Sequence, residues 1–196
     1  MPHSQPDHED SIQEFLEWER QVSTRRNGTI GPQNDETQDY VPLSALNAHF
    51  KDESVVRRVI SDLGLQDPPS AYYVRDLYLQ VFAILLSIHK GSMIRQFTNR
   101  EYLNDQYLPF RAKPSDFPAS SDDLLWTAFQ ERQWRFRPVK MRNGMSGEQP
   151  PAAILPFTVD DQIGDGVSAS IHKIMVDSEY NSLIKQPVSA TRSQNE

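Results

Sequence analysis

The stretch Tyr73–Lys90, YVRDLYLQVFAILLSIHK, decides the fold class. Val74, Leu77, Tyr78, Val81, Leu85 and Ile88 recur at helical spacing on one face, while Leu79, Phe82, Ala83 and Leu86 cover much of the other. A helix that is apolar nearly all round has to be covered on every side. The stretch therefore reads as one continuous helix at the centre of a bundle. Burying each of its large side chains contributes roughly 1.5–3 kcal/mol, enough for this helix to dominate the core.

Helical patterns surround it on both sides. Ser11–Val22 places Ile12, Phe15, Leu16 and Val22 near one stripe, with Ser11 as N-cap and Glu14 three residues on. Ser44–Phe50 presents Leu46 and Phe50. Asp52–Leu63 carries Val55, Val56, Val59, Ile60 and Leu63, and Gly64 follows where a left-handed C-terminal cap belongs. Ser92–Phe97 and Asn99–Tyr107 are shorter helical candidates, and the three prolines of Leu108–Pro118 mark a loop. Ser120 and Asp123 fit a capping box opening a helix over Asp122–Trp134.

The organisation that results is a flexible segment over 1–39 with one amphipathic helix, then a helical domain over 40–140. A Gly- and Pro-containing linker spans 141–153, a β-patterned unit 154–185, and a polar, disordered tail 186–196. The expected fold is mainly α, a helical bundle followed by a short β-hairpin.

Composition bounds the function. The 196 residues carry a net charge of −7 and only 37% hydrophobic residues, with 14 Pro. A modest core with flexible ends fits these values. The acidic balance and the absence of any Lys/Arg run longer than two argue against an electrostatic nucleic-acid binder, including a winged-helix-like DNA-binding module. With no Cys, disulfides, thiolate catalysis and Cys-based zinc sites are excluded. Val81–Leu86 is the longest apolar run, far short of the roughly 20 residues a membrane helix needs. The N-terminus MPHSQPDHED lacks the apolar core of a signal peptide. The expected setting is cytosolic or nucleocytoplasmic, not secreted, with no membrane and no nucleic-acid partner.

The chemistry-bearing motif is Ile163-Gly164-Asp165-Gly166-Val167-Ser168-Ala169-Ser170-Ile171. It has the form apolar, G-x-G-x-x-(small), one residue, then a β-branched apolar. Glycines let backbone N–H groups approach phosphate oxygens, and flanking aliphatics clamp a purine. Ile171, Ile174, Met175 and Val176 show no helical stripe, so a strand–turn–strand hairpin follows instead of the strand–turn–helix of a dinucleotide site. The same glycines also suit a plain tight β-turn with positive φ.

The wider context is more specific. QWRFRPVK at 133–140, ILPF at 154–157, the Gly-rich loop, and IHKIMVDSEYNSL at 171–183 together resemble fungal protein-kinase-like proteins, in which a helical region precedes the kinase domain. The resemblance reaches back through VPLSALNAHF, VFAILLSIHKG and NDQYLPF, covering roughly residues 40–183. It implies that the hairpin corresponds to the first strands of a kinase N-lobe. Ile163 and Ile171 would line the adenine side, Gly164, Gly166 and Ala169 would form the phosphate lid, and Lys185 would imitate the strand lysine.

The departures weigh as much. No H-R-D occurs, and Asp116-Phe117-Pro118 precedes the loop with Pro where D-F-G has Gly. Asp165 and the Asp160-Asp161 pair would repel phosphates, and Lys185 is followed at once by Gln186-Pro187. No catalytic residue is assigned. ATP is the one cofactor the loop suggests, as a vestige, and no resident cofactor is expected.

Other constellations carry less. His3, Asp7, His8, Glu9 and Asp10 read as solvated polarity, so no metal site is assigned. His49 and His89 read as helix-surface residues, and Trp126, Trp134 and Phe136 as core or interdomain contacts. The three arginines of Gln130–Arg137 could meet an acidic partner, against the plainer reading of a solvated helix end.

The expected function is a non-catalytic, pseudokinase-like protein-interaction or regulatory module with an unidentified protein partner. Two alternatives stand beside it. One is a truncated gene model of a serine/threonine protein kinase, and the other a fungal gene-cluster protein with no autonomous activity.

Overall fold

The computed structural model describes residues 10–24, 39–118, 124–145, 149–165 and 170–183. Seven α-helices are seen among them: α1 Asp10–Val22, α2 Leu43–His49, α3 Glu53–Asp62, α4 Ala71–Leu77, α5 Leu79–Ser87, α6 Ile94–Thr98 and α7 Leu124–Phe136. Strand β1 (Met141–Arg142) pairs in parallel with β4 (Asn181–Ser182), and β2 (Phe157–Asp165) pairs antiparallel with β3 (Ser170–Val176). The fold is mainly α with short strands, as the periodicity requires. No helix among the described residues is long and apolar enough to cross a membrane.

Every residue of α5 is buried. Phe15 of α1, Leu46 of α2, Val56, Val59 and Ile60 of α3, Ile94 and Phe97 of α6, and Phe129 and Phe136 of α7 share its core. Phe129 stacks on Phe97 at 5.4 Å and meets the edge of Phe117 at 5.6 Å, arrangements that aromatic quadrupoles favour. The amphipathic helix of the N-terminal segment docks on this body through Phe15, which is buried.

The caps of α3 match the sequence. Asp52 accepts the Ser54 N–H at 2.9 Å, and Gly64 takes φ +62 just past the helix end. The capping residues Ser120 and Asp123 expected before α7 lie outside the described residues.

The central helix departs from expectation. Residues 73–90 do not form one helix, because Tyr78 sits at φ −130, ψ 20 and separates α4 from α5. The break frees the first amides of α5, and the Asp105 carboxylate takes two of them: Gln80 N–H donates at 2.8 Å and Val81 N–H at 2.9 Å. Tyr78 donates its hydroxyl to the Arg100 carbonyl at 3.1 Å. A cap delivered from a distant turn thus stabilises a second helix start that periodicity cannot show.

The far end also stops early, at Ser87. Lys90 N–H bonds to the Leu85 carbonyl at 2.7 Å and His89 N–H to the Leu86 carbonyl at 2.9 Å, which is a Schellman closure. His89 holds the left-handed position, at φ +56, where glycine is usual. His89 is therefore a helix terminator, not a helix-surface residue. The glycine comes two residues later, where a Cβ on Gly91 would lie 2.8 Å from Leu86 Cδ2 and 2.9 Å from Leu63 Cδ2.

The stretch read as a linker is tied down at both ends. Met141–Arg142 forms β1, Val139 N–H donates to the Ile154 carbonyl at 2.9 Å, and Ala153 and Ile154 are buried. These residues join Tyr40, Trp134 and Tyr180 in a second apolar cluster that binds the C-terminal strands to the helical body. Trp134 therefore belongs to this second cluster, and Phe136 to the main core.

Candidate functional site

The Gly-rich motif lies on the β2–β3 hairpin. Asp161 pairs with Lys173, Gln162 with His172, Gly164 with Ile171 and Asp165 with Ser170, and an irregularity between Gln162 and Gly164 leaves Ile163 in a bulge. Gly164 is a ladder residue with no positive φ, and a Cβ there would sit in ordinary contact, 3.8 Å, with Ile171. Gly166, Ala169 and Lys185 fall outside the described residues.

Ile163 is 64% exposed and Ile171 61% exposed. Ile174 and Met175 on the same hairpin are also exposed. The two isoleucines expected to clamp a purine therefore face open solvent, with no opposing wall among the described residues. A site that encloses a ligand needs concave walls on more than one side. Of the six candidate ATP-site residues, the described structure brings together only Ile163, Gly164 and Ile171.

What holds the hairpin to the body is a polar latch in Asp177-Ser178-Glu179-Tyr180. Tyr40 donates its hydroxyl to Asp177 Oδ2 at 2.7 Å. Glu179 accepts the Ser44 N–H at 3.0 Å and the Ser44 hydroxyl at 2.7 Å, so its carboxylate caps the start of α2. Tyr180 accepts the Leu43 N–H on its hydroxyl at 3.0 Å and packs edge-on against Tyr40. Burial pushes both phenols well above the usual tyrosine range, with Asp177 adding to the effect at Tyr40. Neither ionises near neutral pH.

Beside this latch lies a cleft of about 440 Å³. Trp134, Pro138, Val139 and Tyr180 supply apolar walls, and Arg111, Arg137, Lys140 and Arg142 line it with positive charge. Glu179 is its one carboxylate among the described residues. Arg137 is fixed by a bond from Nη1 to Gln80 Oε1 at 3.1 Å, and Gln80 in turn donates to the Phe136 carbonyl at 2.6 Å. The motif-based reading missed this cleft. The signal that could have found it is RFRPVKMR at 135–142, where cations recur without forming a run.

The arginines of 130–137 divide by role. Arg135 Nε lies 2.6 Å from the buried Glu19 carboxylate, and its Nη2 donates to the Ser23 hydroxyl at 2.8 Å. Arg135 is thus consumed in joining α1 to α7, while Arg137 turns toward the cleft. His49, read as a surface residue, stacks on Trp18 at 4.1 Å and is half-buried. Burial, and then the Arg58 charge, hold its pKa below the usual histidine value.

No group of three or more His, Asp or Glu side chains suited to a metal ion occurs among the described residues. No family model matches the chain, and neither a curated protein nor a solved structure is significantly similar to it.

Proposed function

We propose that the chain is a non-catalytic, kinase-like binding module that offers its β2–β3 hairpin to a protein partner while the helical body holds the hairpin in place. One observation carries the reading: four large apolar side chains, Ile163, Ile171, Ile174 and Met175, are exposed on a hairpin with no further strand beside it among the described residues. A two-stranded hairpin is only marginally stable alone, and exposed apolar groups with open strand edges favour pairing with another chain. The occupant is a β-strand of the partner, extending the sheet from one edge. The likeness of the loop to a kinase N-lobe supports the same view, because that lobe is a larger sheet in which these strands have neighbours. The cysteine-free sequence suits a cytosolic or nucleocytoplasmic setting.

The test uses the full chain with a photo-crosslinker at position 173, on β3. A partner is identified from extract, and capture is repeated with Ile171→Ser/Met175→Ser, whose melting temperature is checked against wild type. Loss of that partner at unchanged stability supports the module. Equal capture by the variant sinks it, as does saturable Mg·ATP binding accompanied by phosphotransfer.

A further inference from the structure

We propose that the cleft beside the latch is a binding site for a small organic phosphate bearing an apolar group. The site is independent of the hairpin. It lies between the chain leaving α7, the loop at Pro109 and the latch residues. Its volume, about 440 Å³, is within the range of small-molecule sites, roughly 300–1,000 Å³.

Charge is the main argument. The chain as a whole carries −7, yet among the described residues the cleft gathers four cationic side chains against one carboxylate. That carboxylate, Glu179, is already engaged by the Ser44 N–H and hydroxyl at the start of α2. Those donors are neutral, so Glu179 offsets one of the four cations and the remaining positive charge is unanswered among the described lining residues. The side chains of Arg111, Lys140 and Arg142 have no ion-pair or hydrogen-bond partner among the described residues. Like charges held around one concavity repel each other and raise the local concentration of anions.

Chemistry narrows the anion. Guanidinium groups present planar forks of donors that match phosphate oxygens, and a phosphate monoester brings nearly two charges where a carboxylate brings one. Arg137 is held in place by Gln80, which lowers the ordering cost of its contact. Trp134, Tyr180, Pro138 and Val139 offer a surface that a bare inorganic ion would leave wet. The ligand therefore combines a phosphate with a compact apolar or aromatic part. A nucleic-acid strand is disfavoured, since it would meet the acidic remainder of the chain.

The experiment is calorimetric titration of the full chain with naphthyl phosphate, and with inorganic phosphate and naphthol as separate arms. Naphthyl phosphate is expected to bind saturably and to weaken as salt is raised. Inorganic phosphate should bind at least about tenfold more weakly and naphthol not measurably. Arg111→Gln/Arg142→Gln, whose exposed side chains make no hydrogen bond or ion pair among the described residues, should lose at least about tenfold in affinity at unchanged melting temperature. Ile163→Ser/Ile171→Ser should bind as wild type, which separates this site from the hairpin. The proposal falls if naphthyl phosphate does not bind, if naphthol or inorganic phosphate binds equally well, or if the double arginine variant retains full affinity.

Discussion

Helix α5 and the β2–β3 hairpin are both rich in large aliphatic side chains, and they meet opposite fates. All nine residues of α5 are buried, whereas Ile163, Ile171, Ile174 and Met175 of the hairpin are each at least 40% exposed. The difference is one of layers. α5 shares its core with α1, α3, α6 and α7, while the hairpin is held chiefly at its base, where Phe157 is buried and the latch bonds to the body. Apolar sequence specifies a need for cover. It does not supply the cover.

The contrast is broken most sharply by truncation on each side. Phe82→Ala removes a fully buried ring from α5 and should cost about 3–5 kcal/mol in urea unfolding. Ile171→Ser on the hairpin should fall within about 0.5 kcal/mol. Similar costs for both would mean that the hairpin is sheltered in solution.

Next in size is the ion pair that fastens α1 over the core. Glu19 is almost fully buried beside Arg135, so Arg135→Ala leaves its carboxylate with only the Ser87 hydroxyl at 3.3 Å and Arg132 at 4.0 Å, and should cost about 3 kcal/mol. Restoring an apolar pair with Glu19→Leu/Arg135→Met should recover most of that loss. Removing the exposed Arg58–Glu14 pair should change stability by less than about 1 kcal/mol.

A pH titration probes the buried polar cap of α5. Burial pushes Asp105 up to about 7 from 3.8, against the pull of the Gln80 and Val81 amides and of Arg137. A carboxyl raised in the folded state is protonated there before it is in the unfolded chain. Its contribution is complete below about 3.8 and is lost as pH climbs through about 7. The melting temperature of wild type relative to Asp105→Asn should therefore rise as pH falls from 7 towards 4. A flat difference would show that the carboxylate is ionised throughout. His49 works in the other direction, its lowered pKa favouring folding above the ordinary histidine value of 6.5 and disfavouring it as pH falls.

The smallest effect sharpens the account of where α5 ends. His89→Gly relieves a side chain at φ +56 and should stabilise the fold by about 0.5–1 kcal/mol, read as a raised denaturation midpoint. A loss of stability would show that the imidazole makes contacts worth more than the backbone strain.

Much of this architecture was legible in local patterns. The Asp52 cap, the Gly64 terminator, the all-round apolar centre and the change to strands after Ile154 are signals that neighbours in sequence carry together. The Gly-rich motif was legible as a hairpin but not as an open one. Whether Ile163 and Ile171 face a wall depends on what packs against the sheet. The break at Tyr78 was hidden because its cap comes from Asp105, on a separate turn. The cleft was hidden because Arg111 and the cations of 137–142 are joined only by folding.

Residue order alone determined that this chain is a helical bundle carrying a β-hairpin, because helical and strand periodicities are properties of near neighbours. Tertiary structure alone decided where α5 begins, that Glu19 is answered by Arg135, and that scattered cations converge on one cleft. Each of these rests on groups distant in the chain, and only packing brings such groups within bonding range.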